Sequence, residues 1–354
     1  MSAANHSWGL HCPISVSGDA QRISLAHGEG ARLSRRLIVE TILPRLQRKG
    51  CQKFADAAQV TTVGCRLAFC TDSHTVSPLF FPGGDLGALS IYGTVNDLAV
   101  AGAHPRWLTM SLILEEGLPL VILERLLDSA AAAADACGVA IVAGDTKVVP
   151  RGAADGVFIN TSGVGELLDP VPPGPQSICV GDRVLVSGPI GRHGIAVLSA
   201  REGFAFEPAP VSDMGSLIPQ VNAIRESSGL QVRTLRDATR GGVSSVLHEW
   251  AQECGLTFEL TESQVPVTDD VRGACELLGL DPLYVANEGT LVAVVDAAIA
   301  EQALSALRNL AGCQQAAIIG VVREASVCPV TVCRMFGTAQ PLDEPSGAPL
   351  PRIC

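Results

Sequence analysis

Short apolar runs alternate along this chain with stretches of helical period, and most transitions between them carry glycine beside an acidic residue. An amphipathic stretch over residues 33–46 comes first. Arg66-Leu67-Ala68-Phe69-Cys70 predicts a short strand running straight into Thr71-Asp72-Ser73, an acidic triplet where open α/β sheets place ligand-binding groups. Phe80-Phe81-Pro82-Gly83-Gly84-Asp85 then passes from apolar residues through glycine to a second aspartate. Small residues at helical spacing over residues 91–103 place Asn96 and Asp97 inside a helix, where a carboxylate is costly unless paired or bound to a cation. Residues 107–115 predict a strand and 118–137 a helix rich in alanine and leucine, capped by Gly138. A buried strand over 139–143 ends at Gly144-Asp145-Thr146-Lys147.

Residues 169–182, DPVPPGPQSICVGD, interrupt this pattern with closely spaced prolines and mark a domain boundary. Beyond it come a strand over 183–187 and the loop Gly188-Pro189-Ile190-Gly191-Arg192-His193-Gly194 entering a helix. A second helix is expected over 213–228 and a strand over 232–235 ending in Arg236-Asp237-Ala238-Thr239-Arg240-Gly241-Gly242. The helix that follows carries Val243, Val246, Leu247 and Trp250 on one side, and a glycine-rich helix start of this kind suits phosphate oxygens. Tyr284-Val285-Ala286-Asn287-Glu288-Gly289 precedes a strand over 290–295, a helix over 297–310 and a strand over 316–322. The alternation implies a mixed α/β fold: a loose extension over 1–24, domains over 25–170 and 181–338, and an arm over 339–354. A chain of 354 residues also exceeds the ~250–300 at which single cores stop growing.

Charge narrows the function. A net charge of −11 gives phosphate backbones no global attraction, so nucleic acid is not an expected partner, although an acidic chain still binds ATP through magnesium. The twelve cysteines lack CxxC pairing or a Cys/His metal spacing and are expected mostly as small buried hydrophobes. No signal-like start and no run of ~18 uncharged apolar residues occurs, so the expected setting is the cytoplasm, off the membrane and with reduced thiols. His6, His11 and Cys12 in the extension form no periodic pattern. The arm, QPLDEPSGAPLPRIC over 340–354, is kept extended by its prolines and ends on Cys354. Taken alone it reads as a frayed end, yet an exposed thiol there is in its reactive setting.

Five aspartates, Asp72, Asp85, Asp97, Asp145 and Asp237, sit in glycine-rich or small-residue settings at element ends. Any one of them serves as a cap or turn residue; together they supply the hard oxygens that magnesium needs beside phosphates. No GxxxxGK[ST] and no GxGxxG at a strand-to-helix turn is present, so a nucleotide site here uses another scaffold.

These motifs, in order from about Ala26 to the final Pro351-Arg352-Ile353-Cys354, resemble the HypE family of hydrogenase maturation proteins. That family belongs to an ATP-binding superfamily with aminoimidazole ribonucleotide synthetase and selenophosphate synthetase. The resemblance implies a two-domain PurM-like fold whose first-domain strands pair across a homodimer into a barrel. It implies ATP and Mg2+ as cofactors, with HypF, the carbamoyl donor, and the HypC–HypD iron-carrying complex as partners. In the implied reaction Cys354 receives a carbamoyl group, and ATP-dependent dehydration turns the S-carboxamide into a thiocyanate, the source of a cyanide ligand of [NiFe]-hydrogenase.

Carried onto this sequence, Asp72, Asp85, Asp97, Asp145 and Asp237 would gather magnesium. Gly83, Gly84, Asn96, Gly144, Thr146, Thr239 and Gly241 would help to hold the nucleotide. Lys147 would orient phosphate and substrate, Glu288 would accept a proton near the carboxamide, and His193 would bind phosphate or the tail. His27, Gly28 and Gly30 would form a flap over the phosphates, departing from the family pattern at Ala31, where a second consecutive glycine is expected. Two alternatives are a selenophosphate synthetase-like phosphotransferase and a non-catalytic scaffold with a docking tail.

Overall fold

A computed structural model describes residues 31–37, 39–40, 58–62, 64–228, 231–334, 337–344, 350 and 352–354. The extension over 1–24 and the flap residues His27, Gly28 and Gly30 lie outside the described residues, as does much of the 33–46 stretch, of which helix α1 covers Ala31–Leu37.

The first sheet is built from β1 (Ala58–Thr62), β2 (Cys65–His74), β5 (Ala103–Glu115), β6 (Ala140–Val149) and β7 (Val157–Leu167), in the order β1-β2-β7-β5-β6. Its pairs are antiparallel except β5–β6. Between β2 and β5 the chain makes a short hairpin, β3 (Phe80–Phe81) and β4 (Gly84–Asp85), and then helix α2 (Leu86–Val100); α3 (Leu120–Cys137) joins β5 to β6. Alternate side chains of the strands meet these helices: Leu108, Met110 and Ile159 bury with Leu89, Val95 and Leu126, and Ala68 and Cys70 with Leu98. The opposite face, with Phe69, Trp107 and Ile113, is exposed, and β6 is exposed along nearly its whole length.

The second sheet is covered on both faces. It uses β8 (Arg183–Val186), β9 (Val232–Asp237), β10 (Thr257–Thr261), β11 (Leu291–Val295), β12 (Ala317–Arg323), β13 (Val330–Cys333) and β14 (Ala339–Pro341), in the order β14-β13-β10-β12-β8-β11-β9. The period-two rule divides the strands cleanly. Val184, Val186, Val292 and Val294 pack with Trp250 of α6 (Gly242–Cys254), whereas Leu185, Leu291, Ala293 and Val295 pack with α5 (Ile218–Ser228) and α8 (Ala300–Arg308). Helices α4 (Arg192–Glu202) and α7 (Asp269–Leu278) turn instead toward the first sheet, where Ile195, Val197, Val271 and Cys275 join the core of α2 and α3.

Several boundaries differ from the sequence reading. β2 and β6 do not stop where their apolar runs stop, because pairing continues through Thr71–His74 against β7 and through Gly144–Val149 against β5. Thr71 and Ser73 stand on the uncovered face, whereas Asp72 and His74 turn to the helix side. Helix α2 begins five residues early, where the Asp85 carboxylate accepts from the Ala88 N–H and caps it. Residues 213–217 stay outside α5, and 297–299 form a 3-10 turn before α8. β7, β10, α7 and β13 carry no strong signal and were not anticipated. Among the described cysteines, burial holds at Cys70, Cys137, Cys275 and Cys313, while Cys65 and Cys179 are exposed. No described helix is long and apolar enough to cross a membrane.

Candidate active site

Asp72 and His74 follow Ala68 and Cys70 on the helix-facing side of β2. Gly93 and Asp97, one turn apart on α2, meet them, and Gly93 is needed because a Cβ there would fall 2.7 Å from the His74 ring. From the second sheet, Asp237 ends β9, Thr239 and Arg240 form the turn after it, and Glu288 precedes β11. Gly241 starts α6 at φ 78, where a Cβ would come 2.1 Å from Ser245 Oγ. Asp72, Ser73, His74, Asp97, Asp237 and Glu288, with Thr239, Arg240 and Cys354, line one small cavity of about 50 Å3.

Negative charge is crowded here. Burial pushes the Asp237 carboxyl up to about 6, with the Asp72 charge adding to the effect and Arg236 and Arg240 opposing it. Glu288 is raised well above the usual carboxylate range by burial first, then by Asp237, Asp213 and Asp72. Its Oε1 is buried without a hydrogen-bond partner. Burial likewise lowers His74, whose Nε2 is unpartnered. Among the described residues, no three Cys, His, Asp or Glu side chains are placed to chelate a metal by themselves.

The loop bearing Glu288 is held from below. Asp213 accepts from the Glu288 and Gly289 N–H groups, both at 3.1 Å, and from Thr290 Oγ1 at 2.8 Å. Gly289 can be nothing larger, since a Cβ would lie 1.8 Å from the Asp213 carbonyl oxygen. Asn96, expected beside the nucleotide, is spent on structure: its amide donates to the carbonyls of Gly215 (3.0 Å) and Glu288 (3.4 Å), and its oxygen accepts from the Leu217 N–H (2.8 Å). Asn287 accepts from the Gly191 N–H at 2.7 Å and donates to the Ala238 carbonyl, tying the loops after β8 and β9 together.

The end of the tail lies in this cleft. Leu350 and Ile353 are buried in the core between the two sheets. Thr75 donates to a main-chain carboxylate oxygen of Cys354 from its N–H (3.1 Å) and its hydroxyl (3.3 Å). The buried His193 ring sits between Ser212 Oγ at 2.8 Å and the Ile353 carbonyl oxygen at 2.9 Å, edge-on to Phe81. Burial lowers its pKa, against the pull of the Ile353 carbonyl and Asp213. Burying two aliphatic side chains contributes about 3–6 kcal/mol, and half a dozen hydrogen bonds about 3–9. Ordering five residues costs about 5–10 kcal/mol. The midpoints favour docking by about 3 kcal/mol, so the tail is mostly docked yet still able to leave.

Other expected site residues lie elsewhere in this single chain. Gly83 and Gly84 shape the β3–β4 hairpin against Val211, Ser212 and Met214, and Asp85 caps α2. Gly144, Asp145, Thr146 and Lys147 are in the body of β6, with Lys147 Nζ 3.0 Å from Asp145 and both side chains exposed. The register runs Asp72–Thr161–Met110–Gly144 across β2, β7, β5 and β6. That is three strand spacings, about 14 Å, from Asp72. The sequence reading gave no role to His74, Thr75, Arg201 or Asp213; His74 lies one residue past the acidic triplet, while Asp213 has no local signal.

Residues 54–167 match the family described as AIR synthase related protein, N-terminal domain, and residues 180–332 match its C-terminal domain. Carbamoyl dehydratase HypE of Escherichia coli (strain K12) is 47% identical over 337 residues, covering 94% of this chain and 99% of its own. The chain belongs to the HypE family. Two solved structures agree in fold. One is of a HypE–HypF complex, with TM-score 0.82, 41% identity and coverage of 87% of this chain and 99% of that one. The other is of HypE in complex with ATP, with TM-score 0.78, 42% identity and coverage of 94% and 100%. The mixed α/β architecture is thus the PurM-like fold that the HypE resemblance implied.

Proposed function

We propose that the acidic cavity dehydrates an S-carbamoyl group on Cys354, so that the chain acts as an ATP-dependent carbamoyl dehydratase of hydrogenase maturation. The observation that carries this reading is the placement of Cys354 in one cavity with Asp72, Asp97, Asp237 and Glu288. HypE relatives are named carbamoyl dehydratase, and one is known in complex with ATP.

The donor set fits magnesium in one particular way. The carboxylates crowded around Asp237 and Glu288, both raised in pKa, call for a cation, yet no described trio chelates one alone. Magnesium takes one or two carboxylates and completes its shell with phosphate and water. Asp72, Asp97 and Asp237 are the residues that would hold it. Bound ATP supplies the phosphoryl group that makes the carboxamide oxygen a leaving phosphate. Glu288 accepts an N–H proton as the nitrile forms: burial and neighbouring charge raise its pKa, which strengthens its ionised form as a base, and its unpartnered Oε1 leaves a lone pair for that proton. Arg240 offsets the negative charge around it. His193 holds the Ile353 carbonyl and so fixes the residue before Cys354 beside the cavity that Glu288 lines.

A homodimer would complete this site. The unblunted edge β6 and the uncovered face with Phe69, Trp107 and Ile113 are apolar surface and open hydrogen-bonding capacity that a second copy would cover. Such pairing would also bring Asp145 and Lys147 to a cavity they cannot reach in their own chain. The domain division at 169–182, the carbamoyl donor HypF and the HypC–HypD acceptor belong to the same reading. The HypE–HypF complex supports HypF, and a tail that docks reversibly suits successive partners. The test is to incubate the chain with HypF, carbamoyl phosphate and ATP and weigh the C-terminal peptide. A carbamoyl adduct at Cys354 followed by loss of water is expected, and an adduct that never loses water would refute the reading.

A further inference from the structure

Arg201 ends α4, away from the carboxylates that carry the chemistry, and its guanidinium bridges two separate segments of chain. Nε donates to the Ser77 carbonyl oxygen at 2.8 Å and Nη2 to the Arg352 carbonyl oxygen at 2.6 Å. The Ser77 N–H donates to that same Arg352 oxygen at 3.3 Å, and Arg352 Nε donates back to the Thr75 carbonyl at 3.1 Å. Thr75 in turn holds the main-chain carboxylate of Cys354. Residues 75 and 77 therefore face 354 and 352 in antiparallel register, a short ladder just past the end of β2 whose main-chain bonds both run from the 75–77 segment to the tail.

We propose that Arg201 is a positioning residue that sets the register of this ladder, and with it the depth to which Cys354 enters the acidic cavity. This rests on the dehydratase reading of that cavity. Main-chain carbonyls carry no side-chain identity, so the ladder fixes position while Leu350 and Ile353 select sequence. A slip of one residue would turn Ile353 out of the core. Arg352 lies at φ 53, a left-handed conformation that a non-glycine residue keeps only where its surroundings hold it. Arg201 on its carbonyl, Asp155 on its guanidinium and Thr75 on its Nε supply that hold. The bond from Arg201 is charge-assisted and part-buried, the stronger class of contact.

The experiment measures alkylation of Cys354 by iodoacetamide in the full chain, read from the mass of the C-terminal peptide, with no ATP or carbamoyl donor present. Buried Cys275 reports on the fold and exposed Cys179 on the reagent. Arg201→Gln is expected to speed alkylation of Cys354 about tenfold, as loss of one charged hydrogen bond allows, with Cys275 and Cys179 unchanged. Arg201→Lys keeps the charge but spans one carbonyl instead of two, and should fall between. In turnover, Arg201→Gln should lower kcat for the carbamoylated tail and leave KM for ATP unchanged. Alkylation of Cys354 at the wild-type rate, with Cys275 still protected, overturns the proposal. Should Cys275 also react faster, the fold has failed and Thr75→Val decides. A rise of at least about threefold at Cys354 alone, as loss of the 3.3 Å hydroxyl hydrogen bond allows, then supports the ladder, and no rise overturns it. Because the readout needs no chemistry on the tail, a failed dehydration with this alkylation pattern intact would count against the dehydratase reading alone.

Discussion

Two motifs of the same outward form, Gly144-Asp145-Thr146-Lys147 and Arg236-Asp237-Ala238-Thr239-Arg240, end in opposite surroundings. Asp237 is 6% exposed, pushed up to about 6 by burial and neighbouring charge. Asp145 stands in solvent beside Lys147, which holds its carboxyl below the usual range by hydrogen bond and charge. The difference comes from position in a sheet. Asp237 ends β9 facing the first sheet, whereas Asp145 sits mid-strand on an edge that no described element of its own chain covers. One motif lies in the acidic cavity of its own chain; the other would reach such a cavity only across the proposed homodimer.

The largest effect expected is from Cys354→Ala, which removes the acceptor: the C-terminal peptide should gain no carbamoyl mass and no product should form, while ATP still binds. Residual product would break the assignment. Glu288→Gln should let the adduct form and slow its dehydration about 10²–10⁴-fold; a wild-type rate in single-turnover measurements would remove Glu288 from the chemistry. Ile353→Ala empties a buried site and should weaken tail docking by about 2–5 kcal/mol, seen as faster alkylation of Cys354 at unchanged melting temperature. The comparison of motifs is tested directly by mixing Lys147→Ala with Glu288→Gln subunits. Half of random dimers are mixed and each would hold one intact site of two, so recovery of about a quarter of wild-type activity is expected. No recovery would place Lys147 outside a shared site.

The smallest effect concerns pH. Burial holds the folded pKa of His193 below its usual 6.5, so the unfolded chain takes up the proton first. The stabilising contribution of neutral His193 is therefore fully present above about pH 6.5 and is lost as pH falls toward the folded pKa. Asp237, raised to about 6, moves stability the other way. Denaturant midpoints of wild type and His193→Gln should accordingly converge on acidification from about pH 7 to 5; a gap that stays constant would sink this assignment.

Much of the fold was legible in local pattern. Strong periodicity marked α3 and β11, and Gly138 ends α3 at φ 67 as a left-handed cap. Strand ends were misjudged at β2 and β6 because pairing is a tertiary event: a polar residue ends an apolar run without ending a ladder. At the site, Asp72, Asp97, Asp237 and Glu288 were identified and do converge, since each stands at a turn or helix position that the sheets bring together. Asn96 was drawn to the ligand by its neighbour Asp97, although one step along a helix rotates a side chain to another face, here toward Gly215 and Leu217.

The chain alone singled out the candidates for chemistry: acidic and glycine-bearing turns, and a proline-rich tail ending in a thiol. Those choices rest on local backbone and side-chain chemistry, which a linear sequence states directly. Tertiary structure decided what each residue faces. It carried Asp85 to a helix cap, Asp145 and Lys147 to an open edge, and Cys354 into the acidic cavity through Thr75, His193 and Arg201. Those outcomes depend on sheet order and on contacts between residues as far apart as 75 and 354, which no local pattern encodes.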